Sequence, residues 1–128
     1  MTEINGYKNL IVWQKSMDLA RLVYLLTERF PKNEMYGLTS QIRRAAVSMP
    51  SNIAEGRLRF HRKEYLHFLS IAFGSGAELE TQLTLARTLP GMDHLEYGEV
   101  ENLLNEVMRM LNAMIAKMGV ETPSQLES

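Results

Sequence analysis

The 128-residue sequence predicts an all-α protein, an up-down four-helix bundle, and three observations carry that prediction. Apolar residues recur every three to four positions in four separate segments. Breaks bearing proline or glycine divide those segments and leave only short connections. No stretch alternates at period two, so no sheet is expected. Apolar content of 45% and charged content of 23% suit a globular chain, and the length suits one domain spanning 1–128.

The first helix is expected over about 10–29. Leu10, Trp13, Met17, Ala20 and Tyr24 form one stripe, and Leu19, Val23, Leu26 and Phe30 its neighbour. Asn9 suits the N-cap, and Pro31 ends the run. The second helix spans about 38–58, with Ile42, Ala46, Met49 and Ile53 in a narrow stripe. The third, about 63–88, repeats Tyr65, Leu69, Ala72, Gly76, Leu79, Leu83 and Ala86 before Pro90 and Gly91 break the chain. The fourth, about 97–118, carries Val100, Leu104, Val107, Leu111, Met114 and Met118. Gly119 suits a C-cap, and 119–128 reads as a flexible tail.

Within the second helix lies SMPSNIAEG, residues 48–56. Pro50 has no N–H, so the Ala46 carbonyl loses its helical donor and a kink is expected. Ser48, Ser51 and Asn52 are short groups able to bond freed backbone atoms. Gly56, one residue after Glu55, permits a close approach or a break before the basic residues that follow. Such a bend suits either a ring of subunits or a ligand groove.

The third helix is apolar nearly all round from Tyr65 to Ala77, more than three companion helices can cover. Its outward side is therefore expected to meet another copy through Phe68, Ile71, Phe73, Gly74 and Gly76. The alternative is close packing inside one subunit. Glycine in a helix interior costs about 1 kcal/mol against alanine, which is tolerable where another backbone must approach.

Catalytic chemistry finds little support. There is no cysteine, which excludes disulfides, thiolate catalysis and cysteine-bound metal. Di-iron bundles need two Glu-x-x-His pairs, and Glu64 with His67 is the one pair in the chain. Ser48 and Ser51 have no histidine within a turn, and Glu78 and Glu80 fall on different helix faces. No glycine-rich phosphate loop follows a strand. The expectation is a protein with no enzymatic activity, metal or cofactor. No apolar run approaches the ~20 residues of a membrane span. The segment MTEINGYKN lacks the basic and apolar regions of a secretory signal, so a cytoplasmic location is expected.

Charge is the more informative signal. The net charge is −1, yet Arg43, Arg44, Arg57, Arg59, Arg62 and Lys63 face Glu55 alone between 43 and 63. Residues 90–128 hold seven acids against Arg109 and Lys117. Guanidinium forks match phosphate oxygens, and Phe60 among the cations offers a stacking surface. The competing reading is a solvated charged corner anchored by Phe60.

The chain also resembles a known family. The features are LIVWQKSMDLA, then FPKNEMYGLTSQIRRAAVSMPSNIAEG, then EYLHFLSIAFGSGAELETQL, between about 7 and 118. Gln41, Arg43, Arg44, Ala45, Pro50, Asn52, Ile53, Ala54, Glu55 and Gly56 are the most specific of these residues. They resemble bacterial four-helix-bundle proteins encoded in intervening sequences of 23S ribosomal RNA genes. They are also similar to the accessory variability determinant of diversity-generating retroelements. The resemblance implies a homopentameric ring. In the retroelement relatives it further implies basic surfaces that bind nucleic acid and a reverse transcriptase. No catalytic residue comes with it.

Two functions follow as expectations. One is a non-enzymatic oligomer whose repeated basic corners bind RNA or DNA backbone through the six cations above. The other is a scaffold that docks a protein, such as a polymerase, without touching nucleic acid.

Overall fold

The computed structural model describes residues 6–119, and within them the chain is four α-helices with no strand. They are α1 (Ile11–Thr27), α2 (Leu38–Arg57), α3 (Arg62–Ala86) and α4 (Gly98–Gly119). Single 3-10 turns at Tyr7–Asn9 and Lys32–Glu34 precede α1 and α2. Each helix lies within two residues of its expected start and end. The anticipated cap at Asn9 is not formed. Asn9 closes the first 3-10 turn by donating its N–H to the Gly6 carbonyl, and Leu10 is the N-cap of α1. The tail was anticipated at 119–128; Gly119 instead closes α4, and 120–128 lie outside the described residues.

Each helix packs on two neighbours, α1 on α2 and α4, and α3 on α2 and α4. The helices therefore stand at the corners of a square and alternate in direction. Leu19, Ile42, Met49, Ile53, Leu69, Leu79 and Leu111 are fully enclosed along the centre. Each such leucine or isoleucine contributes about 1.5–3 kcal/mol relative to exposure, and together they dominate the stability of the bundle.

Polar groups fix how the helices meet. Thr27, buried in α1, donates to the Val23 carbonyl at 2.8 Å and accepts from Arg43 Nε of α2 at 2.8 Å. Lys15 of α1 pairs with Glu106 of α4 at 3.0 Å, and Arg87 grips Glu101 at 2.6 Å beside the α3–α4 connection. Both ion pairs are partly solvated and are worth about 0–1 kcal/mol each.

The two long connections cap one end of the bundle. Phe30, Met92, Leu95 and Tyr97 are all buried there. Gly91 has φ +83°, the left-handed region that glycine tolerates, and its Cα face lies against the Pro31 ring. Tyr97 donates its hydroxyl to the Met92 carbonyl at 2.8 Å. Burial pushes its phenol above the ordinary value of 10.0; Arg87 opposes this, and Asp93 and Glu101 add to it. An unfolded tyrosine thus ionises before the folded one. The stability is intact below about pH 10 and declines as pH rises beyond it. Burial also raises Tyr65, with the same sign. Thermal melts from about pH 8 to about pH 11 will show this decline, and Tyr97→Phe will remove part of it.

Candidate functional site

The α2–α3 turn sits at the opposite end from the capped connections. It follows the SMPSNIAEG segment, where a bend was expected. α2 continues as unbroken α-helix through Pro50, which is buried. Beside it, the Asn52 side-chain amide donates to the Ser48 carbonyl at 2.8 Å and to its hydroxyl at 3.0 Å. That hydroxyl shares a hydrogen bond with Ser75 of α3 at 2.8 Å. Of the short polar residues Ser48 therefore joins α2 to α3, while Asn52 takes the Ser48 carbonyl rather than the Ala46 carbonyl freed by proline.

Gly56 is buried where α3 begins. A Cβ placed there would lie 2.7 Å from Phe68 Cβ and 3.3 Å from the Tyr65 carbonyl oxygen. The missing side chain is what lets α3 fold back directly onto α2. The chain then turns through Leu58, Arg59, Phe60 and His61, all exposed.

That turn gathers four of the six expected cations and separates the other two. Arg57, Arg59, Arg62 and Lys63 are all exposed at the turn, with Phe60 94% exposed among them. Arg59 bonds Glu55 at 3.1 Å, approaches Glu64 at 3.9 Å, and lies 5.0 Å over the Phe68 ring. It is held on the protein by both carboxylates and the ring. Arg43 lies far up α2, half-buried, with its Nε on Thr27 and its guanidinium 4.5 Å over the Tyr24 ring. It serves the α1–α2 joint first. Arg44 is exposed on the same upper part of α2.

The five residues expected to meet another copy divide. Gly76 is buried, and a Cβ there would collide with Met108 Sδ and with Met49 Cε at 2.9 Å. It serves packing within the protomer and leaves the interface set. Phe68 and Phe73 are partly buried, Phe68 beneath Arg59 and Phe73 against the core. Ile71 is 37% exposed, and a Cβ at Gly74 would meet nothing within 4 Å. The surplus apolar surface of α3 is thus partly absorbed inside the bundle. Tyr24, Leu25, Tyr36 and Val47 add exposed apolar surface on the α1–α2 side.

Glu64 and His67 remain exposed helix surface. Among the described residues no group of three His, Cys, Asp or Glu side chains is placed to hold a metal ion. No helix among them is long and apolar enough to cross a membrane.

One arrangement was not singled out from the sequence. Between the end of α1 and the start of α2 an open cavity of about 530 Å³ is lined by Tyr24, Tyr36, Thr39, Ser40, Arg43 and Arg44, over Met35 and Val47. Thr39 is 2% exposed, and its hydroxyl is one of two buried side-chain oxygens among the described residues without a hydrogen-bond partner. The signal in the sequence was MYGLTSQIRR, where an aromatic, two hydroxyls and two arginines fall within ten residues.

A family model described as 23S rRNA-intervening sequence protein matches residues 8–113. That span takes in all of α1 to α3 and most of α4. No curated protein matches the chain.

Proposed function

This chain belongs to the 23S rRNA-intervening sequence protein family, and from that premise we propose that it is a non-enzymatic, self-associating accessory protein that grips nucleic-acid backbone at the α2–α3 turn. The observation that carries this reading is the exposed set Arg57, Arg59, Arg62 and Lys63 around Phe60. Cations that reach solvent on a tight turn can meet phosphates without rearranging the bundle. The family's description names ribosomal RNA, which makes RNA the first ligand to test.

One such corner is weak, because Glu55 and Glu64 offset part of its charge. Repetition in a ring raises avidity without new contacts. Association through the outward side of α3, at Ile71 and Gly74 beside Phe68 and Phe73, supplies the ring, and five copies is the number the family resemblance implies. Gly74 gives a clean test. Gly74→Ala meets empty space and will raise protomer stability by about 0.5–1 kcal/mol. Gly74→Arg will leave helicity unchanged and reduce the sedimenting mass to that of a protomer. A wild-type chain that already sediments as a protomer overturns the ring.

A titration of single-stranded RNA at low and rising salt tests the binding itself. Affinity that falls steeply with salt supports the reading, since counterions are released as phosphates are neutralised. Absence of affinity at low salt refutes it. A protein partner retained after nuclease treatment would then replace it with the scaffold reading.

A further inference from the structure

The cavity between α1 and α2 has a chemistry that the corner does not share. Its lining contains two guanidinium groups and no carboxylate. An anion is therefore favoured there over a cation or a basic peptide. Arg43 is already fixed as a plate over Tyr24, and its bond to Thr27 engages only Nε. Its two terminal amino groups remain to donate to an incoming oxygen. Arg44 and Ser40 stand beside it on the first turns of α2.

An inorganic anion would use these groups alone, yet the cavity offers more. Tyr36 is 98% exposed, an aromatic ring with neither packing nor cover. Met35, Tyr24 and Val47 supply an apolar floor, each more than a third exposed. Thr39 also lines the cavity, with its own hydroxyl buried beneath the surface. Volumes of about 300–1,000 Å³ are those of small-molecule sites, and this one falls within that range. An anionic group joined to a flat aromatic face is the ligand that uses both the cations and the exposed ring.

We propose that this cavity seats one unstacked nucleotide of a single-stranded RNA, its base against Tyr36 and the apolar floor and its phosphate at Arg43 and Arg44. This rests on the RNA-binding reading and adds a second point of attachment. Arg44 and Arg57 are thirteen residues apart on one helix, about 20 Å along its axis and roughly 220° around it at 1.5 Å and about 100° per residue. A strand bound at the α2–α3 turn would run along and around α2 to reach the cavity.

The test uses the full chain, with adenosine monophosphate, inorganic phosphate and a 4-thiouridine-labelled single-stranded RNA as probes. The expected results are binding of the mononucleotide in preference to phosphate and a photocrosslink to the peptide that contains Tyr36. Tyr36→Ala, at a fully exposed position that leaves the fold intact, will weaken RNA binding about tenfold with little change in salt slope, as removal of a stacking ring should. Arg44→Glu will weaken it and flatten the slope as well.

Equal binding of phosphate and mononucleotide overturns the proposal, and so does an unchanged affinity in Tyr36→Ala. A change in sedimenting mass without a change in RNA affinity would make the cavity a contact between copies, which also overturns it. The double variant Arg57→Glu/Lys63→Glu separates the two sites. If it abolishes RNA binding while the mononucleotide still binds in preference to phosphate, the cavity stands on its own. If it leaves RNA affinity intact while Tyr36→Ala removes it, the turn fails and the cavity survives.

Discussion

Gly56→Val is expected to destabilise the protein by about 2–3 kcal/mol, the upper range for overpacking a closed contact. Besides the Tyr65 ring at 3.0 Å, an added Cβ meets two atoms held by the backbone, the Phe68 Cβ at 2.7 Å and the Tyr65 carbonyl oxygen at 3.3 Å. Neither can rotate out of the way, because one is fixed to the α3 backbone and the other is part of it. The start of α3 must therefore move off α2. Replacing glycine ordinarily favours a helix by up to about 1 kcal/mol, so a net loss of this size isolates the steric cost. Denaturant unfolding of Gly56→Val beside Gly74→Ala will measure it, since the second site is open. Equal stability of Gly56→Val and wild type would show that the two helices are not pressed together there.

The second large effect concerns binding. Arg57→Glu/Lys63→Glu reverses two exposed cations on the turn. It should lower RNA affinity at least tenfold at low salt. The slope of log affinity against log salt should shrink by about 0.7 for each phosphate of a single strand that is no longer neutralised. Arg59→Ala should do less to the slope, since Glu55 and Glu64 already hold its guanidinium. Its removal should register mainly in stability, through the packing over Phe68. Salt-dependent titrations of the two variants will separate these roles. Equal slopes in the double variant and wild type would remove the turn from the interface.

The bundle was legible in the sequence to within two residues at each helix end. Apolar periodicity and the breaks at Pro31, Gly37, Pro90 and Gly91 carry that information locally. The Asn9 cap failed because a 3-10 turn, which periodicity does not register, occupies residues 7–9. The outward surface of α3 was overestimated for a different reason. Coverage depends on which small residue faces which large one. Gly56 admits Phe68 and Tyr65, and Gly76 admits Met49 and Met108, pairings that span up to 32 residues. Arg43 looked like a free cation because its partners, Thr27 and Tyr24, lie on another helix. Arg59 with Glu55 was readable, being four residues apart on one helix.

The two ends of this molecule are not equivalent. At one, the Pro31 and Gly91 contact ties both long connections together over Phe30, Met92, Leu95 and Tyr97. At the other, a single four-residue link joins α2 to α3. All four residues of that link are exposed, and it closes only α2 onto α3. An anion captured by the folded turn favours the folded state. It reaches the whole fold as ligand-linked stabilisation, and a rise in melting temperature would report occupancy of the turn without any label on the nucleic acid.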